Sequence, residues 1–405
     1  MKKDTKKVFI KNFGCQMNTR DSEVICGLLR TAHYELTANP KEADVVIFNT
    51  CSVRQHAEDK AWSEIGRISK AKYSKGQSPS GKVPIIGLVG CMAQNYQEKV
   101  FERSPDVGFV VGPSDIDKIP GIIKKLLASK KEGTVPCPPA GRESPKFLER
   151  KIWETDGQLR PEEIYHTGFY EDKDHAYVVI SEGCSNFCSY CVVPFVRGPL
   201  HNRDHKAILK EIEEAVDQGI TKITLLGQNV NAYKDGDINF VKLIELVNSI
   251  KGLKEFSFIT SHPKDTSLDL FRVMADCQKL QKALHLPIQS GADKILKLMN
   301  RGYGREDYLK LAKTYRKIVK RGALSTDIIV GFPTETEKDF QETFDLVDEI
   351  KFNSAYIFKY SSRLRTQASN MLDDVPKLEK ERRHKLILGL QRKISNKLKC
   401  YLRKE

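Results

Sequence analysis

No apolar run in the 405-residue sequence approaches the roughly 18 residues that cross a bilayer. The start, MKKDTKKVF, lacks the apolar stretch and small-residue cleavage site of a secretory leader. The expectation is a soluble, globular chain in the cytosol, with no membrane partner. Internal repeats are absent, as is any low-complexity tract beyond the loop YSKGQSPSGK. In that loop Gly76, Gly81 and Lys82 satisfy G-x-x-x-x-G-K, but Val83 stands where Ser or Thr would ligate magnesium, and the loop precedes a strand instead of joining strand to helix. A nucleotide-binding loop is thereby excluded. Finally, SEGCSNFCSYCVVPFVRGP crowds Cys184, Cys188 and Cys191 into eight positions and offers no fourth cysteine nearby.

What is present suits two or three domains, with 40% hydrophobic and 30% charged residues. Ten cysteines would mean disulfides in a small secreted domain, whereas clustered thiols in a cytosolic enzyme of this size bind metal. The net charge of +14, from 67 Lys and Arg against 53 Asp and Glu, points to an anionic partner such as RNA, or to a solvated basic face.

The first third alternates apolar runs (KVFIKNF, DVVIFNT, VPIIGLVG, VGFVV) with helical patterns from about Asp21 to Thr31 and Val53 to Ser69. This predicts an α/β unit, an open, doubly wound parallel sheet over residues 1–134. Residues 135–168 read as a linker. A second strand and helix series (AYVVIS, ITLLGQN, FSFIT, LHLPIQS, LSTDIIVGFP, AYIFKYS) fills 169–376 and suggests a partial (β/α)6 barrel of the TIM type. From Lys377 to Glu405 a C-terminal helix carries Ile387, Leu390, Ile394, Leu398 and Tyr401 on one stripe, and 11 Lys and Arg against three Glu elsewhere. Those cations are either a solvated face or a phosphate contact.

For Cys184, Cys188 and Cys191 two readings stand. Zinc needs a fourth ligand, which His201 or His205 would supply. A [4Fe-4S] cluster on three thiolates keeps one iron open for a reactant, and the position just after the first barrel strand, where barrel loops carry active sites, favours it. Cys15, Cys51 and Cys91 each lie beyond the carboxyl end of a predicted parallel strand, where open α/β sheets form their ligand crevice. Three thiols from distant positions thus converge on a second three-thiolate site. Cys26, Cys137, Cys277 and Cys400 receive no role.

C-x-x-x-C-x-x-C after a first barrel strand resembles the radical S-adenosylmethionine superfamily. With the N-terminal trio, and with FGCQMN, NTCSVRQHAEDK, VGCMAQ, CVVP, LLGQNVNAY, HLPIQSG and TDIIVGFPTET, the chain from about Lys7 to Tyr401 looks like the MiaB-type tRNA methylthiotransferases. The resemblance implies that Cys184, Cys188 and Cys191 hold a cluster whose open iron chelates S-adenosylmethionine for one-electron cleavage to a 5′-deoxyadenosyl radical. It implies that Cys15, Cys51 and Cys91 hold an auxiliary [4Fe-4S] cluster carrying the sulfur to be inserted, and that the target is C2 of N6-isopentenyladenosine, just 3′ of the tRNA anticodon. A flavodoxin- or ferredoxin-type electron donor, a sulfur donor and a monomeric state are the further expectations. Gly227, Gln228, Asn229, Gln289, Ser290, Asp327 and Gly331 would surround S-adenosylmethionine. Arg197 and Arg203, which match a family RG-x-E-x-S-R pattern, would meet phosphate or carboxylate.

The sequence departs from the pattern at Leu200 and Asn202, where Glu and Ser are usual, and at Arg365 and Gln367, where Gly and Pro are usual. The small β-barrel module of the TRAM type, which binds tRNA in the family, is absent from these 405 residues. Weaker tRNA affinity, offset in part by the basic tail, is the expectation.

Overall fold

The computed structural model describes residues 5–52, 55–73, 84–131, 151–156 and 159–402. Gly76, Gly81, Lys82, Val83 and Cys137 lie outside them, as do the side chains of Cys400 and Tyr401. The chain divides into two compact units, Met1–Glu171 with Phe195–Arg197, and Asp172–Pro194 with Gly198–Glu405.

In the first unit the elements run β1 (Lys7–Phe13), α1 (Gln16–Thr31), β2 (Glu35–Leu36), β3 (Val45–Thr50), α2 (Gln55–Tyr73), β4 (Ile85–Gly90), α3 (Cys91–Tyr96), α4 (Lys99–Arg103), β5 (Val107–Val111), α5 (Ile119–Lys131) and β6 (Ile152–Glu154). The strands form one parallel sheet in the order β2-β1-β3-β4-β5-β6. Every residue of β3 and β4 is buried, as continuous apolar strands covered on both faces should be. Val46, Phe48, Ile86 and Leu88 pack with Ala61 and Ile65 of α2, Met92 and Ala93 of α3, and Val100 of α4. On the opposite face of β3, Asn49 donates to Asn18 O at 2.8 Å and Ser22 Oγ at 2.9 Å in α1. The sheet is therefore doubly wound, with its order reversing between β1 and β3.

Two expectations are corrected here. Residues 135–168 are not all linker: Ile152–Glu154 joins the sheet as an edge strand on β5, a segment too short to show a period of its own. Helix α1 begins at Gln16, not near Asp21. Its first turns bury Asn18, Arg20 and Asp21 through hydrogen bonds, so the apolar periodicity that marks a helix start is missing there.

The second unit continues with β7 (His175–Val179), β8 (Ser181–Glu182), α6 (Val193–Arg197, its last three residues packed in the first unit), β9 (His201–Asn202), α7 (His205–Asp217), β10 (Lys222–Leu226), β11 (Lys234–Asp235), β12 (Ile238–Asn239), α8 (Phe240–Ser249) and β13 (Glu255–Ile259). It closes with α9 (Leu268–Asp276), β14 (Ala283–His285), α10 (Asp293–Leu298), α11 (Arg305–Ile318), β15 (Ala323–Val330), α12 (Glu337–Ile350), β16 (Ser354–Lys359) and α13 (Lys377–Leu402). Two parallel sheets, β7-β10-β13 and β14-β15-β16, are joined where Phe256 bridges Leu280. The six strands thus follow one another in chain order, as a partial (β/α)6 barrel requires.

Strand β15 alternates strictly, with Leu324, Thr326, Ile328 and Val330 buried and Ser325 and Asp327 half-buried on the other face. That second face is polar across the unit: His175 meets Thr224 at 2.8 Å, Thr224 meets Ser257 at 2.9 Å, and His285 meets Ser325 at 3.0 Å and Asp327 at 3.3 Å. Helix α13 packs through Ile387 and Ile394. Part of its basic charge is internal, with Arg383 Nη1 on Glu335 Oε2 at 2.7 Å and Lys380 Nζ on Asp373.

Candidate active site at two cysteine trios

In the first unit, Cys15 follows β1, Cys51 follows β3 and Cys91 opens α3 directly after β4. The reversal of strand order between β1 and β3 places the first two at the switch point where such sheets bind ligands. Gly90 has φ 89°, and a Cβ there would lie 2.7 Å from Thr50 O, so only glycine lets β4 end against β3 and deliver Cys91. Cys51 N donates to Phe13 O at 3.0 Å, and Asn18 Nδ2 bridges Asn49 Oδ1 and Thr50 O at 3.1 Å each. A hydrogen bond from Cys51, with help from Arg197 and against burial, brings the Cys15 thiol down to about 6. Burial pushes Cys91 up, opposed by Arg197.

Arg197, on α6, places Nε 3.3 Å from Cys91 Sγ and Nη2 2.6 Å from Asp21 Oδ2. Asp21 also accepts from Arg160 Nη1 at 2.8 Å. Burial works to raise the Asp21 carboxyl, yet the two guanidiniums hold it below the ordinary range. The expected phosphate contacts are therefore corrected. The Arg197 side chain is 4% exposed on Asp21, and Arg203, 3% exposed, pairs with Glu211 Oε2 at 2.6 Å. Each forked donor meets a carboxylate, but a buried one.

In the second unit, Cys184, Cys188 and Cys191 occupy the loop after β7 and β8. Gly183, at φ 72°, sits so close to Pro199 O that a Cβ would approach it to 2.0 Å. The loop is pinned by Cys184 N to Gly198 O at 3.1 Å, Ser189 N to Met299 O at 3.0 Å, and Asn300 Nδ2 to Phe187 O at 3.0 Å. Burial pushes Cys184 up, and Cys191 up to about 12. Two side chains that sequence reasoning missed meet Cys188 Sγ: Arg301 Nη1 at 3.2 Å and His262 Nε2 at 3.9 Å. His262 Nδ1 accepts the Lys264 amide at 3.2 Å, so the ring proton lies on Nε2 and faces the sulfur. Burial, then Arg301 and Lys264, bring this imidazole down to about 2, so it is neutral.

The remaining predicted residues divide. At the end of β10, Asn229 Nδ2 donates to Asp265 Oδ2 at 2.6 Å. The buried oxygens Gln228 Oε1 and Asn229 Oδ1 have no partner among the described residues, a vacancy that suits ligand donors. Gly227 approaches Ser181 so closely that a Cβ would meet its Oγ at 2.5 Å. Asp327 faces His285 on the polar side of the barrel. Gln289, at φ 72°, takes a strained left-handed conformation and holds β15 through its backbone, donating to Asp327 O at 2.9 Å. Ser290 and Gly331 serve the fold: Ser290 is fully buried against Thr343 Oγ1 at 3.3 Å, and Gly331 N donates to Glu335 Oε2 at 2.6 Å. Arg365, standing where glycine was expected, has φ 70°, the conformation glycine would take without strain.

The donor set tests the two metal readings. Among the described residues, the ligand groups drawn within 4.8 Å of one another are Asp204-His205-Asp235 and Asp115-Glu154-Asp156. His205 is committed to Asp235 at 2.6 Å. With three thiols each, the trios suit a thiolate-bound group, and Arg197 and Arg301 beside their sulfurs suit an anionic one.

Residues 178–347 match the Radical SAM superfamily and residues 7–112 match Uncharacterized protein family UPF0004, one trio falling in each. Over 403 residues the chain is 42% identical to the tRNA-2-methylthio-N(6)-dimethylallyladenosine synthase of Clostridium novyi, covering 97% of this chain and 83% of that protein. The chain belongs to this synthase family. The synthase of Thermotoga petrophila is 40% identical over 97% of this chain and 83% of its own length. In fold alone, the chain resembles the radical S-adenosylmethionine methyltransferase TsrM from Kitasatospora setae, with a TM-score of 0.56 and 14% identity over 90% of this chain and 74% of that one. The six cysteines therefore stand in a synthase-family chain whose barrel has the radical-SAM architecture, and no described helix is long and apolar enough to cross a membrane.

Proposed function

We propose that this chain methylthiolates C2 of N6-isopentenyladenosine in tRNA, using S-adenosylmethionine and two [4Fe-4S] clusters. The observation that carries the reading is the pairing of two three-cysteine sites at strand carboxyl ends in a chain 42% identical, over nearly its whole length, to a tRNA-2-methylthio-N(6)-dimethylallyladenosine synthase. Cys184, Cys188 and Cys191 would hold one cluster, and Cys15, Cys51 and Cys91 the other. Bound there, the clusters and S-adenosylmethionine supply the radical and sulfur chemistry that an adenine C–H requires and that acid and base side chains do not offer.

The chain's own part is binding, orientation and exclusion of water. Gln228 Oε1 and Asn229 Oδ1 present buried acceptors to the donors of a ligand at the end of β10. The polar run His285, Ser325 and Asp327 offers hydrogen bonds to a nucleoside. Exposed Lys385, Arg392, Lys393 and Lys397 on α13 suit tRNA phosphate. The reading includes a low-potential flavodoxin- or ferredoxin-type electron donor, a separate sulfur donor, a cytoplasmic location and a monomer.

The test is iron and sulfide content of anaerobically reconstituted protein, paired with nucleoside analysis of tRNA from a deletion strain. About eight irons should fall to about four in either triple Cys→Ala variant, and the 2-methylthio nucleoside should vanish on deletion and return with the wild-type gene. Four or fewer irons in the wild type, or an unchanged nucleoside profile, overturns the proposal.

A further inference from the structure

Arg301 is 3% exposed. Its nitrogens donate to Tyr303 Oη at 2.8 Å, Cys188 Sγ at 3.2 Å, Tyr190 Oη at 3.3 Å and Pro287 O at 2.9 Å. Among the described residues no carboxylate pairs with it. Other buried guanidiniums do have one: Arg20 sits on Glu23, Arg203 on Glu211 and Arg383 on Glu335. A buried charge without a counter-charge is costly to hold, and the group beside this one that can carry negative charge is the cysteine loop. There the three sulfurs differ. Cys184 and Cys191 are met by the backbone amides of Asn186 and Val193, which are neutral donors, whereas Cys188 receives the guanidinium.

We infer that Arg301 is a positioning residue that fixes the reduction potential of the cluster held by Cys184, Cys188 and Cys191. The inference rests on the proposed function, since it needs a cluster at that trio. Net charge and hydrogen bonds to sulfur are the levers by which a protein moves such a potential. A guanidinium is always protonated, so its field favours the state with one more negative charge. Screened from water by Tyr190 and Tyr303, it acts through a low local dielectric. One electron passes from the low-potential donor, which is oxidised, to the cluster, which is reduced; no bond or proton changes at Cys188. The neutral Nε2–H of His262 adds a second, weaker contact on the same sulfur.

The experiment uses the full chain carrying Cys15→Ala, Cys51→Ala and Cys91→Ala, so that the barrel cluster alone is read. Iron content is measured first, then the midpoint potential by dithionite titration followed by electron paramagnetic resonance. In Arg301→Gln we expect unchanged iron and a potential more negative by at least a tenfold change in the reduced-to-oxidised ratio, about 59 mV for one electron; Arg301→Lys should recover most of it. A wild-type potential in Arg301→Gln overturns the inference, as does an equal shift in Arg301→Lys. Should Arg301→Gln lose its iron, retention in Arg301→Lys supports charge pairing and loss from both overturns it in favour of packing. Absence of iron from the parent chain is failure of the functional reading itself.

Discussion

The two cysteine trios solve the same problem by opposite routes. In the barrel, one loop of eight positions brings three sulfurs together, so local chain geometry does the gathering. In the sheet unit, Cys15, Cys51 and Cys91 are assembled by topology, because parallel strands all deliver their following residue to one edge. Each trio has an arginine beside one sulfur, and the arginines differ. Arg197 pairs with Asp21, a carboxylate it shares with Arg160, whereas Arg301, besides Cys188, has tyrosine and carbonyl partners and no carboxylate among the described residues. The buried guanidinium at the barrel site is therefore set among neutral partners and a sulfur, while that at the sheet site shares a buried carboxylate with a second guanidinium. The contrast is one of partners: a buried guanidinium on a sulfur is tied to a carboxylate in one unit and to neutral oxygens in the other.

The sharpest way to break this contrast is to remove one ligand from each site. Cys188→Ala should bring dithionite-driven S-adenosylmethionine cleavage to background. Cys51→Ala should leave cleavage in place while abolishing methylthiolation of tRNA, as read by 5′-deoxyadenosine release and nucleoside analysis on the same samples. Loss of cleavage in both variants would mean that the sites are not separate devices.

Removing Asp21 sharpens the electrostatic half of the comparison, because Asp21→Asn leaves Arg160 and Arg197 buried without their shared carboxylate. Breaking a buried pair from one side typically costs about 3 kcal/mol or more, so the urea midpoint of the apo protein should fall accordingly; a loss below about 1 kcal/mol would show that the pairing is not what holds this corner. The pH dependence follows from the lowered carboxyl of the folded state. The stability it contributes is fully present above the unfolded value of about 3.9 and is lost as pH falls through the folded value. The difference between wild type and Asp21→Asn should thus close only in acid below about pH 4.

How legible was this in the sequence? The placement of Cys15, Cys51, Cys91 and Cys184 was, because each follows an apolar run that the fold uses as a strand, and Cys188 and Cys191 share the loop of Cys184. The partial barrel was legible for the same reason, in six runs separated by helical stretches. Arg301 and His262 were not. They reach Cys188 from 113 and 74 residues away, and a lone arginine after the helix DKILKL carries no local signal of what it will touch. For Arg197 the family pattern left phosphate and carboxylate both open, and the fold supplies the carboxylate, Asp21, from 176 residues away. The start of α1 was missed because Asn18, Arg20 and Asp21 are buried by hydrogen bonding, which no hydrophobic pattern records.

The smallest expected effect concerns the acidity that topology gives Cys15. In the apo protein its thiol lies at about 6, chiefly through Cys51, whereas burial moves Cys26 up to about 12 and Cys91 and Cys184 upward. Cys51→Ala removes the main cause, so the midpoint of Cys15 alkylation by iodoacetamide, followed by peptide mass spectrometry, should move upward toward the ordinary thiol value. The rate at pH 7 is a poor readout. Lowering a thiol from about 8.5 to about 6 raises its thiolate fraction roughly 30-fold, but a Brønsted slope of about 0.4 to 0.5 lowers its nucleophilicity roughly tenfold, leaving about a threefold difference. The midpoint is free of that cancellation. A Cys15 profile centred above about pH 8 in the wild type, or one unmoved by Cys51→Ala, would mean that the strand ends do not bring the two sulfurs into contact.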